Sequence, residues 1–300
     1  MLKPAVILLC AGLVLAGCSN DDAGDESGLL SALGQVRATP ETRKAVEYGE
    51  PAAVRALLAE DRDRYQLLQG FGYGTIASYA IVVGETLSLH LDEFDSAISV
   101  GQPPKQATVL WGKYDVAAVD GKLRGLGIDG RAADDATRWR AADDYEIDLA
   151  NGPFADLAPT PQLNDILTRD WSFAFAPAAA GIDWVTDAGD ETLAGDDVLA
   201  SLARCLGDVV AAQLQATRQA VGVREDGTQL ICLDGDRARV SDALDGDMPS
   251  TARPWHDVLP GAEVTEDGDL VRVTVPPPPD DTPVGQVMRV MQNGDLDGLR

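Results

Sequence analysis

The residues able to carry acid–base or nucleophilic chemistry are few and widely separated in this sequence. It contains two histidines, His90 and His256, without the HExxH motif or any other paired-histidine spacing. The G-x-S-x-G elbow and the S-x-x-K motif of serine enzymes do not occur. Acidic residues number 49, so their spacing does not single out a carboxylate pair of the glycosidase kind. We therefore predict no catalytic residue, with a site assembled from distant residues as the alternative.

One glycine-rich string, residues 72–77, fits the pattern G-x-G-x-x-A of dinucleotide-binding proteins. That motif needs a buried strand before it and a helix after it. Here a charged helical segment comes first, and the apolar residues 79–83 that follow are expected to form a strand. A glycine-rich turn is the preferred interpretation. Because the pattern G-x-x-x-x-G-K-[ST] is missing as well, we predict no cofactor.

A candidate metal site lies at residues 293–298, which fit N-x-D-x-D-G, the first half of an EF-hand calcium loop. The bidentate glutamate of such a loop stands at its twelfth position, which would fall beyond Arg300. We therefore expect a polar turn at residues 293–298 and predict no metal ligands.

Four aromatic residues could line a ligand groove: Tyr65, Phe71, Tyr73 and Tyr79. Aromatic side chains in such positions more often fill the core between neighbouring elements. Core packing is therefore the expectation for this set.

The most specific signal is the tetrapeptide LAGC at residues 15–18. It follows Lys3 and an apolar run of about a dozen residues, which is the pattern of a secretory signal and is shorter than the ~17–25 residues of a membrane-spanning helix. The tetrapeptide resembles the lipobox of bacterial lipoproteins. In that family the cysteine receives acyl chains such as palmitate and becomes the first residue of the mature protein. An ordinary signal peptide that happens to contain a cysteine is the alternative.

This resemblance implies a location. Residues 1–17 would be a signal peptide, Cys18 the lipidated residue, and the mature chain a protein held at the extracytoplasmic face of the cell membrane. Residues 18–28 are polar and acidic and are expected to form a flexible tether. The membrane is then a partner through the lipid on Cys18, and a second partner would be an envelope protein or a small ligand.

The formal net charge of −25 bears on partners too. A chain this acidic repels nucleic acid, so no nucleic-acid partner is predicted. Solubility is the simpler explanation for the charge, with a specific store of cations as the alternative.

The remaining cysteines can be assigned once the anchor is accepted. Cys10 leaves with the signal peptide, so Cys205 and Cys232 remain in a compartment where disulfides persist. One pairing is available to them, and we predict it, with two buried free thiols as the alternative.

Chain length and the positions of proline residues predict two domains. The prolines at 153, 159 and 161 suggest a linker over residues 151–164, between an N-terminal α+β domain at 29–150 and a C-terminal α+β domain at 165–300.

Hydrophobic periodicity predicts an α+β fold with antiparallel hairpins and split βαβ-like units. A strand at 108–112 followed by a helix capped by Asp115 resembles a second strand–Asp–helix unit at 230–244, which favours two related halves. Hairpins are expected around the turns at 225–227 and 267–268. Further strands are expected at 145–149 and 171–175, and helices on both sides of an interruption at 49–51, the first capped at residues 39–42. The strongest helix should begin at Asp196 and Asp197 and carry one apolar stripe from Val198 to Leu214.

Three short stretches, residues 101–104, 110–115 and 205–208, are similar to those of uncharacterised actinobacterial envelope lipoproteins. That resemblance implies secretion and an α+β fold and no particular activity. Together these observations predict a lipid-anchored envelope protein that binds rather than catalyses. The alternative is an envelope hydrolase whose site leaves no local motif.

The first testable prediction concerns the anchor. Changing Cys18→Ala should block lipid attachment, because the acylated thiol is gone, and should also block removal of residues 1–17, so the variant should differ from wild type in processing and in detergent partitioning. Metabolic labelling with a radioactive fatty acid provides the second readout. A variant that is still labelled and still partitions with wild type would contradict the anchor.

Overall fold

The computed structural model describes residues 27–148, 152–154 and 161–300. Within these residues the chain forms ten α-helices and twelve β-strands. The strands are β1 (Ala45–Gly49), β2 (Ser96–Gln102), β3 (Lys105–Trp111), β4 (Asp129–Ala133), β5 (Ala136–Arg140), β6 (Asp165–Arg169), β7 (Ser172–Ala176), β8 (Ala211–Gln215), β9 (Gln219–Val223), β10 (Gln229–Leu233), β11 (Glu263–Asp267) and β12 (Leu270–Val275). The helices are α1 (Gly28–Gly34), α2 (Pro51–Glu60), α3 (Arg62–Tyr65), α4 (Ala80–Leu87), α5 (Val116–Gly125), α6 (Ala179–Thr186), α7 (Asp197–Leu206), α8 (Arg237–Leu244), α9 (Trp255–Val258) and α10 (Gln286–Gln292).

All twelve strands belong to one sheet with the order β11-β12-β10-β9-β8-β1-β2-β3-β7-β6-β5-β4. Every neighbouring pair in it is antiparallel. The predicted α+β fold is confirmed. No helix in the described part of the chain is both long enough and apolar enough to cross a membrane.

The sheet repeats one pattern twice. In the first half, the meander β1–β3 is followed by helix α5, and the last strand, β7, pairs with β3. In the second half, the meander β8–β10 is followed by helix α8, and the last strand, β12, pairs with β10. Because the pairings alternate in direction, β10 and β11 run parallel with β12 between them, which is a split βαβ unit. Strands β3 and β4 also run parallel to each other, with β7, β6 and β5 between them. Antiparallel pairing of β1 with β8 joins the two halves.

Half of the expected linker at 151–164 lies outside the described residues. The strands β6 and β7, which come after it, pair with β5 and β3, which come before it. In the sheet, the division between the repeated halves lies between β7 and β8.

Helices cover both faces of the sheet. One face packs against α1, α6 and α7 in a single apolar cluster. On the other face, α2 and α10 cover the half that contains β9–β12, and α4 and α5 cover the half that contains β2, β3 and β7. The two clusters on this second face are separated over the central strands.

The predicted disulfide between Cys205 and Cys232 is present and joins α7 to β10, with a Cα–Cα distance of 6.2 Å. Both cysteines are fully buried in the cluster beneath α7. The bridge therefore ties a covering helix to the second half of the sheet.

Helix α7 begins as predicted, since the Asp196 carboxylate accepts hydrogen bonds from the backbone N–H groups of Val198 and Leu199, both at 3.1 Å. The predicted extent of its apolar stripe is wrong. The helix ends at Leu206, because Gly207 adopts a positive φ of 67°, and Leu214 lies in strand β8. Both predicted hairpins, β9–β10 and β11–β12, and the Asp115 cap of α5 are confirmed.

Three other local predictions are wrong. Residues 39–42 form a turn that leads into strand β1 instead of a helix, and residues 79–83 lie mostly in helix α4 instead of a strand. Residues 145–148 form no strand, and residue 149 lies outside the described residues. Short apolar runs fit a strand and a helix equally well, and here tertiary pairing decides between them.

The second prediction tests the disulfide. Replacing both Cys205 and Cys232 with alanine should lower the free energy of unfolding by about 3–4 kcal/mol, because the 27-residue separation sets the entropy lost by the unfolded chain. Urea denaturation of the oxidised wild type and of the double variant provides the measurement. Wild type treated with a reductant serves as the control and should lose similar stability; equal stability of all three samples would contradict the prediction.

Candidate functional site

Two concave sites lie on the face of the sheet that is covered by α2, α4 and α10, and the segment of residues 70–75 separates them. The first, the apolar pocket, has a volume of about 420 Å³. Its apolar lining consists of Pro51, Val54, Leu58, Leu68, Phe71, Tyr73, Ala80, Ile81 and Leu91. Its polar lining consists of Arg55, Gln69, Glu85, His90 and Asp92, with Gly70 and Gly84 between the two groups.

Helices α2 and α4 form opposite walls of the apolar pocket. Pro51 occupies the first turn of α2, where the missing N–H has no helical partner, and Val54 follows on the lining face. Between the helices the chain turns through Gly70, Gly72 and Gly74, which all have positive φ. This turn directs Phe71 and Tyr73 into the lining.

Two of the four aromatic residues considered from the sequence are thus at the apolar pocket. Phe71 and Tyr73 are both buried and belong to its wall. Burial raises the pKa of the Tyr73 hydroxyl far above its usual value, so this group is neutral. Tyr65 packs in the cluster beneath α2 and α10, and Tyr79 packs beside α4. The structure therefore combines both interpretations, because the pocket-lining pair also packs in the core.

The mouth of the apolar pocket combines polar rim residues with exposed apolar side chains of α4. Ile81 lines the pocket and is nevertheless 79% exposed, and its neighbour Val82, which does not line it, is 36% exposed. Few large apolar side chains in the described chain are exposed to this extent, and these two are consecutive on α4.

The second site, the polar cleft, has a volume of about 400 Å³ and lies over the central strands, between the two apolar clusters. Its floor carries Glu47 from β1, Ser99 from β2, Gln106 from β3, and Gln213 and Gln215 from β8. Residues 74–75 form one wall, and Met291 and Gln292 of α10 form the other. The junction of the two halves of the sheet is therefore polar on this face.

Glu47 is the central side chain of the polar cleft. Its Oε1 accepts hydrogen bonds from the backbone N–H groups of Gly72 at 2.9 Å and Gly74 at 3.3 Å. The Gln213 side-chain amide donates to Oε2 over 3.5 Å. Burial nevertheless raises the pKa of the Glu47 carboxyl above its usual range, because desolvation outweighs the three hydrogen bonds.

The polar cleft lacks the partners that hydrolysis requires. Glu47 is the only ionisable side chain among the described residues that line it, so no second carboxylate or histidine completes an acid–base pair. The Ser99 hydroxyl accepts a hydrogen bond from Thr108 at 3.0 Å, with no base beside it.

The remaining sequence candidates lie elsewhere. His90 is at the rim of the apolar pocket, and His256 is on the surface, 3.5 Å from Asp257. In the calcium-like string, Asp295 is buried and accepts hydrogen bonds from Ser250, at 2.8 Å from its backbone N–H and 2.7 Å from its hydroxyl. Within the described residues no three acidic, histidine or cysteine side chains form a metal-binding group.

One predicted site residue lies outside the described chain, and one residue of the polar cleft was not predicted. Cys18, the predicted lipidated residue, lies outside the described residues. The sequence interpretation missed Glu47 and the glutamines around it. The available signal was that polar Glu47 alternates with apolar Val46 and Tyr48. This pattern places Glu47 on the opposite face from its neighbours only if the segment is assigned as a strand.

Comparisons with known proteins add little. No family model matches the chain, and no curated protein sequence matches it. The structure titled crystal form I of TP0453 aligns with a TM-score of 0.37 and 10% identity, covering 87% of this chain and 96% of that one. Crystal form IV of the same protein aligns with a TM-score of 0.34 and 10% identity, covering 83% and 96%. Similarity at this level does not bear on function.

The third prediction follows from the buried carboxyl. Because its pKa is raised in the folded state, Glu47 should favour folding less and less as the pH rises above the ordinary pKa of a glutamate. The isosteric change Glu47→Gln removes this dependence, since a neutral amide oxygen still accepts the two backbone hydrogen bonds. The variant should therefore gain stability relative to wild type as the pH rises from 4 to 8.

The measurement is chemical denaturation across that pH range. Glu60→Gln, at the exposed end of α2, is the matched control and should show no such trend. A constant difference between Glu47→Gln and wild type at every pH would show that the carboxyl is not perturbed.

Proposed function

We propose that this chain is a lipid-anchored, extracytoplasmic envelope protein that binds a small, largely apolar ligand in the apolar pocket and catalyses no reaction on it. The observation that supports this most strongly is the pocket itself, a preformed cavity of about 420 Å³ with aliphatic and aromatic walls. Ligand sites in proteins typically have this size and this kind of lining, with a few polar groups that set the orientation.

The arrangement of the polar lining favours an amphiphilic ligand. The deeper wall is formed by apolar groups such as Leu68 and Phe71, which are buried, whereas Arg55 and His90 are exposed. A ligand with an apolar body and a polar end would remove the apolar wall from water and keep its polar end at the rim. Each buried methylene contributes about 0.8 kcal/mol, so a hydrocarbon body of about ten methylenes corresponds to the roughly 8 kcal/mol of micromolar binding.

The position of the N-terminus is consistent with a membrane source for such a ligand. Ser27 caps α1, and Gly28 packs against Tyr48 and Glu50, the residue that precedes Pro51 of the apolar pocket. Ser27 follows Cys18 by nine positions, and a tether of that length with the flexibility that its composition predicts would span about 15–18 Å. An acylated Cys18 would therefore hold this end of the sheet close to the bilayer.

The hydrolase alternative has less support. Its site would need at least two cooperating groups, and the polar cleft offers one carboxyl. At the apolar pocket His90, Glu85 and Asp92 are rim residues, and the described lining contains no serine or cysteine nucleophile. Binding is the function that both sites favour.

The fourth prediction compares two neighbouring positions on α4. Ile81→Asp should weaken binding of the neutral apolar fluorophore N-phenyl-1-naphthylamine at least tenfold, because a charge at the mouth would be desolvated by the probe. Val82→Asp introduces the same charge one residue away, outside the lining, and should change the affinity by less than about twofold. Fluorescence titration of the full chain carrying Cys18→Ala gives both affinities.

Equal effects of the two aspartates would contradict the proposed site, as would a probe that fails to bind at all. Turnover of ester, glycoside or peptide substrates that is lost on changing Glu47 or His90 would instead favour the hydrolase.

A further inference from the structure

We propose that the polar cleft is a second binding site, separate from the apolar pocket, and that it takes a small organic cation with a primary ammonium group. The two sites share no lining residue. Their contents are chemically opposite, since one is lined mainly by aliphatic and aromatic groups and the other by a carboxyl, amides and hydroxyls.

The hydrogen-bonding capacity of the polar cleft is the first argument. Gln106 donates through Nε2 to the Thr75 hydroxyl at 3.0 Å, and Gln213 donates through Nε2 to Glu47. Among the described residues the amide oxygens of Gln106 and Gln213 accept no hydrogen bond, and Glu47 Oε2 accepts only the long one from Gln213. The polar cleft is therefore lined by two unused amide oxygens and one weakly used carboxylate oxygen. A ligand that satisfies them must donate several hydrogen bonds, as an ammonium group does with three N–H donors.

The second argument is the uncompensated charge. No lysine, arginine or histidine is among the described residues that line the polar cleft. Glu47 thus differs from Asp165, a buried carboxyl that Arg138 approaches to 2.8 Å. Glu47 is only partly exposed, and a carboxylate partly removed from water without a cationic partner is destabilised. A cationic ligand would supply that partner.

The net charge of the whole chain also favours a cationic ligand. A formal net charge of −25 raises the local concentration of cations at a concave acidic site and lowers that of anions. Anionic ligands such as carboxylates and phosphates are disfavoured both by this net charge and by the carboxylate of Glu47 in the polar cleft. A metal ion is disfavoured because the polar cleft supplies a single carboxylate.

Proton linkage gives the proposal a specific signature. Because burial raises the pKa of the Glu47 carboxyl, this group keeps its proton to a higher pH than an exposed glutamate does, and a bound ammonium would favour loss of that proton. No other ionisable side chain among the described residues lines the polar cleft, from the floor strands, from residues 74–75 or from α10. Binding should therefore release protons from this one group.

The experiment compares three probes with the same carbon chain: n-butylammonium, n-butanol and butyrate. Isothermal titration calorimetry at constant ionic strength, on the full chain carrying Cys18→Ala, should detect saturable binding of n-butylammonium alone. Near the pKa of Glu47, its apparent enthalpy should depend on the ionisation enthalpy of the buffer, which reports the released proton.

Glu47→Gln should weaken n-butylammonium binding at least tenfold and abolish the dependence on buffer, while Glu60→Gln should leave both unchanged. Gln213→Leu keeps the carboxyl and removes one acceptor, so it should weaken binding severalfold and retain the proton release. Thermal melting checks that each variant is folded.

Three results would overturn the proposal: no saturable n-butylammonium binding, equal binding of n-butanol, or unchanged affinity in Glu47→Gln. Equal binding of n-butanol would indicate a site for neutral polar ligands instead. In each case N-phenyl-1-naphthylamine titration of the apolar pocket remains an independent measurement, because n-butylammonium at its site should not displace that probe.

Discussion

The structure depends on one strand pairing, the antiparallel contact of β1 with β8. It places Val46 opposite Leu214 and Tyr48 opposite Ala212, and it converts two similar half-sheets into one twelve-stranded sheet. Without it each half would expose a strand edge with unpaired backbone groups. Because side chains alternate along a strand, the same pairing that buries Val46 and Tyr48 beneath α1 and α7 must direct Glu47 to the opposite face.

The position of the partly buried Glu47 has a direct consequence for the neighbouring loop. The carboxylate accepts hydrogen bonds from Gly72 and Gly74, so this glycine-rich turn is held against the centre of the sheet. The approach is close: a Cβ on Gly72 would lie 2.6 Å from the backbone oxygen of Ala97, and its φ of 84° already disfavours a side chain. Held in this way, the turn presents Phe71 and Tyr73 to the apolar pocket on its other side. One short segment therefore forms a wall of both sites.

Much of the local structure follows from local chemistry. The caps at Asp115 and Asp196, and the hairpin turns before β10 and β12, depend on residues within a few positions of one another, and all four were predictable. Strand β1 and helix α4 were not predicted. The partners of β1, strands β2 and β8, lie about 50 and 170 residues further along the chain. Glu47 was missed for the same reason, since a carboxyl on a misassigned segment looks like one more surface charge.

The sequence by itself determined the α+β class, the helix caps at Asp115 and Asp196, the hairpins and the pairing of Cys205 with Cys232, because composition, turn residues and cysteine count constrain these features. It also contains the tetrapeptide at residues 15–18 on which the expected anchor at Cys18 rests. Only the tertiary structure decided that the halves fuse through β1 and β8, that an apolar pocket opens beside α4, and that Glu47 lies in a cleft among glutamine side chains. The physical reason is that tertiary structure, and not residue type, sets the burial of a side chain. Whether a glutamate is solvated or enclosed depends on which distant strands flank it.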